Sequence, residues 1–153
     1  LHFGVMPNDI DKALEEYTPT NNRSEFRNTG RNNLIVDAYN ANPTSMAAAL
    51  ENFRQMKAEN KMAILGEMRE LGADSPTEHQ HIISLLATMD LCEVWLVGQE
   101  FCNADYSGLC TLHTVFHNVD EVKARLSSTP LSDRTILIKG SNGTKLFQLP
   151  ELL

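Results

Sequence analysis

The segment from Asn33 to Met46, NLIVDAYNANPTSM, constrains the fold more than any other part of the chain. Leu34, Ile35 and Val36, flanked by Ala38, form an apolar run too short for a helix and suited to a buried strand. The run breaks into Asp37, Tyr39, Asn40, Asn42 and Pro43, and the helix-forming stretch SMAAALENFRQM follows. Strand, polar turn and helix in that order make the repeating unit of an α/β fold. Ligands of such folds sit just beyond the carboxyl ends of the strands. An acid, a phenol and two amides at this one turn make it a candidate binding wall.

The rest of the chain repeats the pattern. A helix is predicted over about 43–58, with Pro43 in its first turn, where a missing N–H costs nothing. Strands are predicted at 61–65, 93–97, 113–116 and 135–138, and several are followed by Gly. A second helix is expected to open at Ser75-Pro76-Thr77-Glu78 as a capping box and to run to about Met89. A third is expected over about 119–127, capped by Asn118 or Asp120, and a last helix or turn over 142–149. Residues 99–112 read as irregular, with room for one short helix. Strands alternating with helices imply parallel pairing and right-handed crossovers. The expected fold is therefore α/β: a Rossmann-like, doubly wound, mostly parallel sheet flanked by helices. Ahead of it, DIDKALEEY reads as a short amphipathic helix, and residues 18–33 as a polar connector carrying Arg23, Arg27 and Arg31. A solvated connector is the plainer reading of those arginines; a phosphate or carboxylate contact is the sharper one.

Bulk properties exclude several classes. The 153 residues suffice for one domain with a core, and a net charge of −7 argues against nucleic acid, whose partners carry basic patches. No apolar run approaches the ~20 residues of a membrane span, and no signal peptide is visible. Cys92, Cys102 and Cys110 form no CxxC pair, which fits a reducing, cytosolic setting.

Candidate chemistry is sparse. GSNGTK at 140–145 fails the P-loop pattern because no Lys-Ser/Thr follows its second glycine. A Gly-rich turn at a helix start remains, where N–H groups favour an anion, with Lys139 beside it. The histidines show no metal-ligand spacing, and Ser45, Ser75 and Ser141 suggest no nucleophile–base pair. In a parallel sheet, DAYNANP, the loop carrying Glu67, Arg69 and Glu70, and the Lys139-Gly140-Ser141 corner would converge on one rim.

DAYNANPTSM (37–46), ILGEMRELG (64–72) and ILIKGSNG (136–143), in this order, resemble the C-terminal domain of the Mur ligases. Within that family they resemble the branch that joins D-alanyl-D-alanine to UDP-N-acetylmuramoyl-tripeptide. YTPTNNRSE (17–25) resembles the join between central and C-terminal domains. The resemblance implies that residues 1–32 are the end of a central domain and a connector, and residues 33–153 the C-terminal domain. It implies an ATP-dependent, amide-forming ligase of peptidoglycan synthesis, cytoplasmic and monomeric. ATP and Mg²⁺ would be bound mainly by the central domain, so the isolated chain is expected to be inactive. Arg23, Asp37, Tyr39, Asn40 and Asn42 would face the nucleotide. Glu67, Met68, Lys139, Gly140 and Ser141 would face the acceptor. The remaining readings are another Mur or folylpolyglutamate-type ligase domain, or a free-standing α/β nucleotide-binding or regulatory module.

Overall fold

The computed structural model describes residues 24–153. Arg23 and the helix expected near the start of the chain lie outside the described residues. The strands are β1 (Glu25–Asn28), β2 (Asn32–Asp37), β3 (Lys61–Gly66), β4 (Glu93–Val97), β5 (His113–Phe116) and β6 (Arg134–Lys139). The α-helices are α1 (Pro43–Gln55), α2 (Ser75–Leu86), the single-turn α3 (Gln99–Cys102) and α4 (Val119–Ser128). One six-stranded sheet has the order β1-β2-β6-β3-β4-β5. β1 pairs antiparallel with β2, and the other neighbours are parallel.

The central strands are buried along nearly their whole length, as parallel strands covered on both faces must be. Successive side chains alternate between two cores. Ile35, Ala63, Leu65, Val94, Leu96 and Leu137 pack against Met46, Leu50 and Phe53 of α1 and Ile82, Ile83 and Leu86 of α2. Leu34, Val36, Ile64, Trp95, Ile136 and Ile138 pack against Val119, Val122 and Leu126 of α4 and against Leu146 and Leu149. The helices thus cover both faces, and the doubly wound arrangement follows.

Two local features depart from the sequence-based reading, and a third decides between the helix and the turn it left open. The polar connector contains β1, with Phe26 opposite Ile35 and Glu25 paired to Arg27 at 2.8 Å on its exposed side. Its turn holds Gly30 at φ +88°, left-handed backbone that glycine adopts without strain. The expected capping box at Ser75 does not form. A 3₁₀ turn over Gly72–Asp74 runs straight into α2, which leaves helical backbone where a cap would need an extended residue, and the Ser75 hydroxyl turns to His79. Residues 142–152 form three 3₁₀ turns rather than an α-helix, because Lys145 takes left-handed backbone at φ +58° and Pro150 follows within two turns.

Candidate functional site

Because β6 lies between β2 and β3, the turns leaving the carboxyl ends of these strands are neighbours. They do meet. Gly140 and Gly66 approach so closely that a Cβ on Gly140 would fall 2.8 Å from the Gly66 Cα, and one on Gly66 would fall 2.5 Å from Thr144 Oγ1. Only glycine permits that approach. The Ser141 N–H donates to the Glu67 carbonyl at 3.4 Å, and the Arg69 guanidinium packs over Gly143.

Asp37 and Lys139 were expected to face different ligands. They face each other. The parallel register sets them side by side on adjacent strands, on the face covered by α1. The Lys139 Nζ donates to Asp37 Oδ2 at 2.8 Å and to the Asn40 carbonyl at 3.2 Å, and neither charged side chain has exposed surface. Opposite charges stripped of water are tolerable only when paired this closely. The pair ties the 38–42 turn to the 139–143 corner, so an acceptor carboxylate finds no free ammonium at Lys139.

Tyr39 and Asn40 are exposed at this rim. Asn42 has a local task. Its side chain accepts the Ser45 N–H at 2.8 Å, and the Ser45 hydroxyl accepts the Asn42 N–H at 3.1 Å. This reciprocal cap starts α1, with Pro43 as its first residue.

Across the rim, Glu67 is anchored at both ends. Its N–H donates to the Val97 carbonyl at 2.8 Å, and its Oε2 accepts the Glu100 N–H at 3.0 Å, while Arg69 lies 3.3 Å from its Oε1. Gly98, at φ +123°, leaves room for this carboxylate, which a Cβ there would meet at 2.6 Å. Met68 buries its side chain in the α1–α2 core and presents only backbone to the rim. Ser141 has a buried hydroxyl with no hydrogen-bond partner. No α-helix stands behind the Gly-rich corner, since the Thr144 and Lys145 N–H groups donate within its own turn to the Ser141 and Asn142 carbonyls. The helix-terminus anion site expected there is absent.

A cavity of about 180 Å³ opens beside this corner, lined by Glu67, Arg69, His117, Asn118, Asp120 and Lys145 among others. Sequence reasoning missed His117 and Asn118; the signal was the Asn cap ahead of α4, at the end of a predicted strand. Glu121 accepts the His117 N–H at 2.6 Å, and this bond, helped by the His117 ring, holds its carboxyl below the ordinary range. Burial first, then the negative charges of Glu121 and Glu67, push the Cys102 thiol up. That disfavours a thiolate at the rim. Ser75 does neighbour a histidine, with its Oγ 3.3 Å from His79 Nδ1. That nitrogen lies closer still, 2.7 Å, to the Ser75 carbonyl, so its proton is committed there and it cannot serve as a base.

The family model for the glutamate ligase domain of Mur ligases matches residues 22–142. The chain belongs to the Mur ligase family. A UDP-N-acetylmuramoyl-tripeptide–D-alanyl-D-alanine ligase of Rickettsia prowazekii is 35% identical over 151 residues, which is 95% of this chain and 33% of that protein. The ligase of the same name from Treponema pallidum is 30% identical over 154 residues, 98% of this chain and 33% of that one. A crystal structure of MurF from Acinetobacter baumannii superposes with a TM-score of 0.70 at 32% identity, covering 95% of this chain and 32% of that one. The MurF ligase of Thermotoga maritima in complex with ADP shares the fold, with a TM-score of 0.63 at 18% identity, over 85% of this chain and 30% of that one. This Mur ligase domain therefore spans about a third of the length of the curated relatives it matches.

Proposed function

We propose that this chain is the C-terminal domain of an ATP-dependent ligase that joins D-alanyl-D-alanine to UDP-N-acetylmuramoyl-tripeptide. The step belongs to peptidoglycan synthesis in the bacterial cytoplasm, and the enzyme works as a monomer. One observation carries the reading. The DAYNANP turn, the 66–72 loop and the 139–143 corner share one strand-end rim, in a chain 35% identical along 95% of its length to a ligase of that name. In the reaction, the tripeptide carboxylate takes the terminal phosphoryl group of ATP. The dipeptide amine then attacks the acyl carbon, the carbon–oxygen bond to phosphate breaks, and amide, ADP and phosphate result.

In this reading the domain closes over reactants held by the rest of the enzyme. Tyr39, Asn40 and the Asn42 amide border the nucleotide, where a phenol and amides suit base and ribose. Arg23, which lies outside the described residues, is assigned to the nucleotide on the family resemblance alone. Asp37 acts through Lys139, holding the turn in shape rather than presenting its own charge. Glu67, the main chain of Met68 and Gly140, and the unpaired Ser141 hydroxyl border the acceptor, where a carboxylate suits an ammonium and a hydroxyl suits a carboxylate. Residues 1–32 are assigned to the end of the central domain and its connector, the connector contributing β1 to the edge of the sheet. Among the described residues no cluster of three His, Cys, Asp or Glu could hold a metal ion. In this reading Mg²⁺ and most of the ATP contacts belong to the central domain.

The test is an ADP-release assay on the complete protein with UDP-N-acetylmuramoyl-tripeptide, ATP and Mg²⁺, with the amide product identified by mass spectrometry. D-alanyl-D-alanine is expected to support turnover, and single L- or D-amino acids are not. Turnover with a single amino acid instead assigns the domain to a sister ligase. Turnover by the 153-residue chain alone refutes the closing-domain role.

A further inference from the structure

His79 lies on α2, outside the three rim turns, and has no exposed surface. Its Nε2 is 2.9 Å from the Met68 nitrogen, and its Nδ1 is 2.7 Å from the Ser75 carbonyl oxygen. A carbonyl can only accept, so Nδ1 carries the proton and donates it. A backbone N–H can only donate, so Nε2 presents a lone pair. The two bonds together select one neutral tautomer. The ring also stands edge-on to Phe101, with centroids 4.8 Å apart at 82°.

Phe101 belongs to α3, whose Glu100 N–H is accepted by Glu67. The loop after β3 is thus gripped twice, at Glu67 by α3 and at Met68 by α2 through His79. The loop also borders an open hollow with Arg69, Glu70, Leu71 and Gly72 on its wall. Between Met68 and the 3₁₀ turn at Gly72, Glu70 takes left-handed backbone at φ +64°. Arg69 packs over Gly143 and Leu71 against the α1–α2 core, so the Met68 N–H is the anchor that sets where the stretch between them begins.

We propose that His79 is a positioning residue. Through the Met68 N–H it sets the conformation of the 67–72 loop, and so the affinity for the amino-bearing acceptor rather than for ATP. The acceptor half rests on the functional reading above; the loop half rests on geometry alone.

The experiment compares His79→Gln, His79→Asn and His79→Leu in the complete ligase. The Gln carbonyl reaches the place of Nε2 and can accept the Met68 N–H, whereas Asn is shorter and Leu cannot accept. His79→Asn and His79→Leu are expected to raise KM for D-alanyl-D-alanine about tenfold, the weight of one hydrogen bond, with KM for ATP within about threefold. His79→Gln is expected to restore the acceptor KM to within about threefold of wild type. Hydrogen exchange at the Met68 amide should accelerate in the Asn and Leu variants and stay slow in Gln. Should the Asn and Leu variants fail to fold, ¹⁵N NMR of the wild-type protein decides, with a protonated Nδ1 and an unprotonated Nε2 expected. A protonated Nε2, wild-type Met68 exchange in His79→Asn, or KM values for ATP and acceptor rising in step would each overturn the proposal. A wild-type protein without ligase activity refutes the functional reading and the acceptor half with it, while exchange and tautomer still decide the loop half.

Discussion

Removing the Lys139 ammonium takes away a charge 2.8 Å from the buried Asp37 carboxylate, and the cost follows from the geometry. At 2.8 Å, two unit charges attract by roughly 6 kcal/mol at an effective dielectric of about 20. Desolvating each ion costs several kcal/mol, so the intact pair is near break-even, while breaking it is expensive. Lys139→Met and Asp37→Asn are each expected to destabilise the domain by about 3–5 kcal/mol. The double variant Asp37→Leu/Lys139→Met buries no unpaired charge and should lose far less than the sum of the single losses. Guanidinium unfolding measures this, read by the fluorescence of Trp95, the single tryptophan and a buried one. Single losses below about 1 kcal/mol, or losses that add within about 0.5 kcal/mol in the double variant, would refute the reasoning.

Other substitutions test the rim and its supports. Gly140→Ala forces a methyl against the Gly66 backbone, and a loss of about 1–3 kcal/mol is expected from thermal unfolding. Asn42→Ala removes the α1 cap and should cost about 1 kcal/mol in the same assay. The Glu121 carboxyl is held below its ordinary 4.5 by the His117 N–H, so it stabilises the fold above that value and the benefit disappears as pH falls through the lowered one. Glu121→Gln should flatten the acid limb of a stability–pH profile, and an NMR titration of Glu121 at or above 4.5 would contradict the assignment.

The parallel strands were legible because burial on both faces turns each into an unbroken apolar run. Their junction residues were legible too, since Gly and Asn mark the turns. β1 was hidden because an edge strand needs only one apolar side chain, Phe26, and carries charges to deter further pairing. Its signal was present in the Asn-Thr-Gly turn ahead of β2. Convergence of the three loops on one rim follows from parallel pairing and needed no register. The Asp37–Lys139 pair needed both strand order and register, which link residues 102 positions apart, so each charge was assigned a ligand of its own. His79 escaped notice for a similar reason. Its spacing from Ser75 is visible in sequence, but the Met68 N–H it accepts comes from a loop whose path only packing determines.

The position of β6 has a consequence for synthesis. β2 and β3 leave the ribosome before β6, yet neither pairs with the other; each pairs with β6. Until residues 134–139 emerge, two apolar strands stand apart with an open gap between them. The 102 residues separating Asp37 from Lys139 take about 5–20 s to translate. Through that interval the half-made sheet exposes two unpaired edges, and the rim comes into being only when the late strand slots between the two early ones.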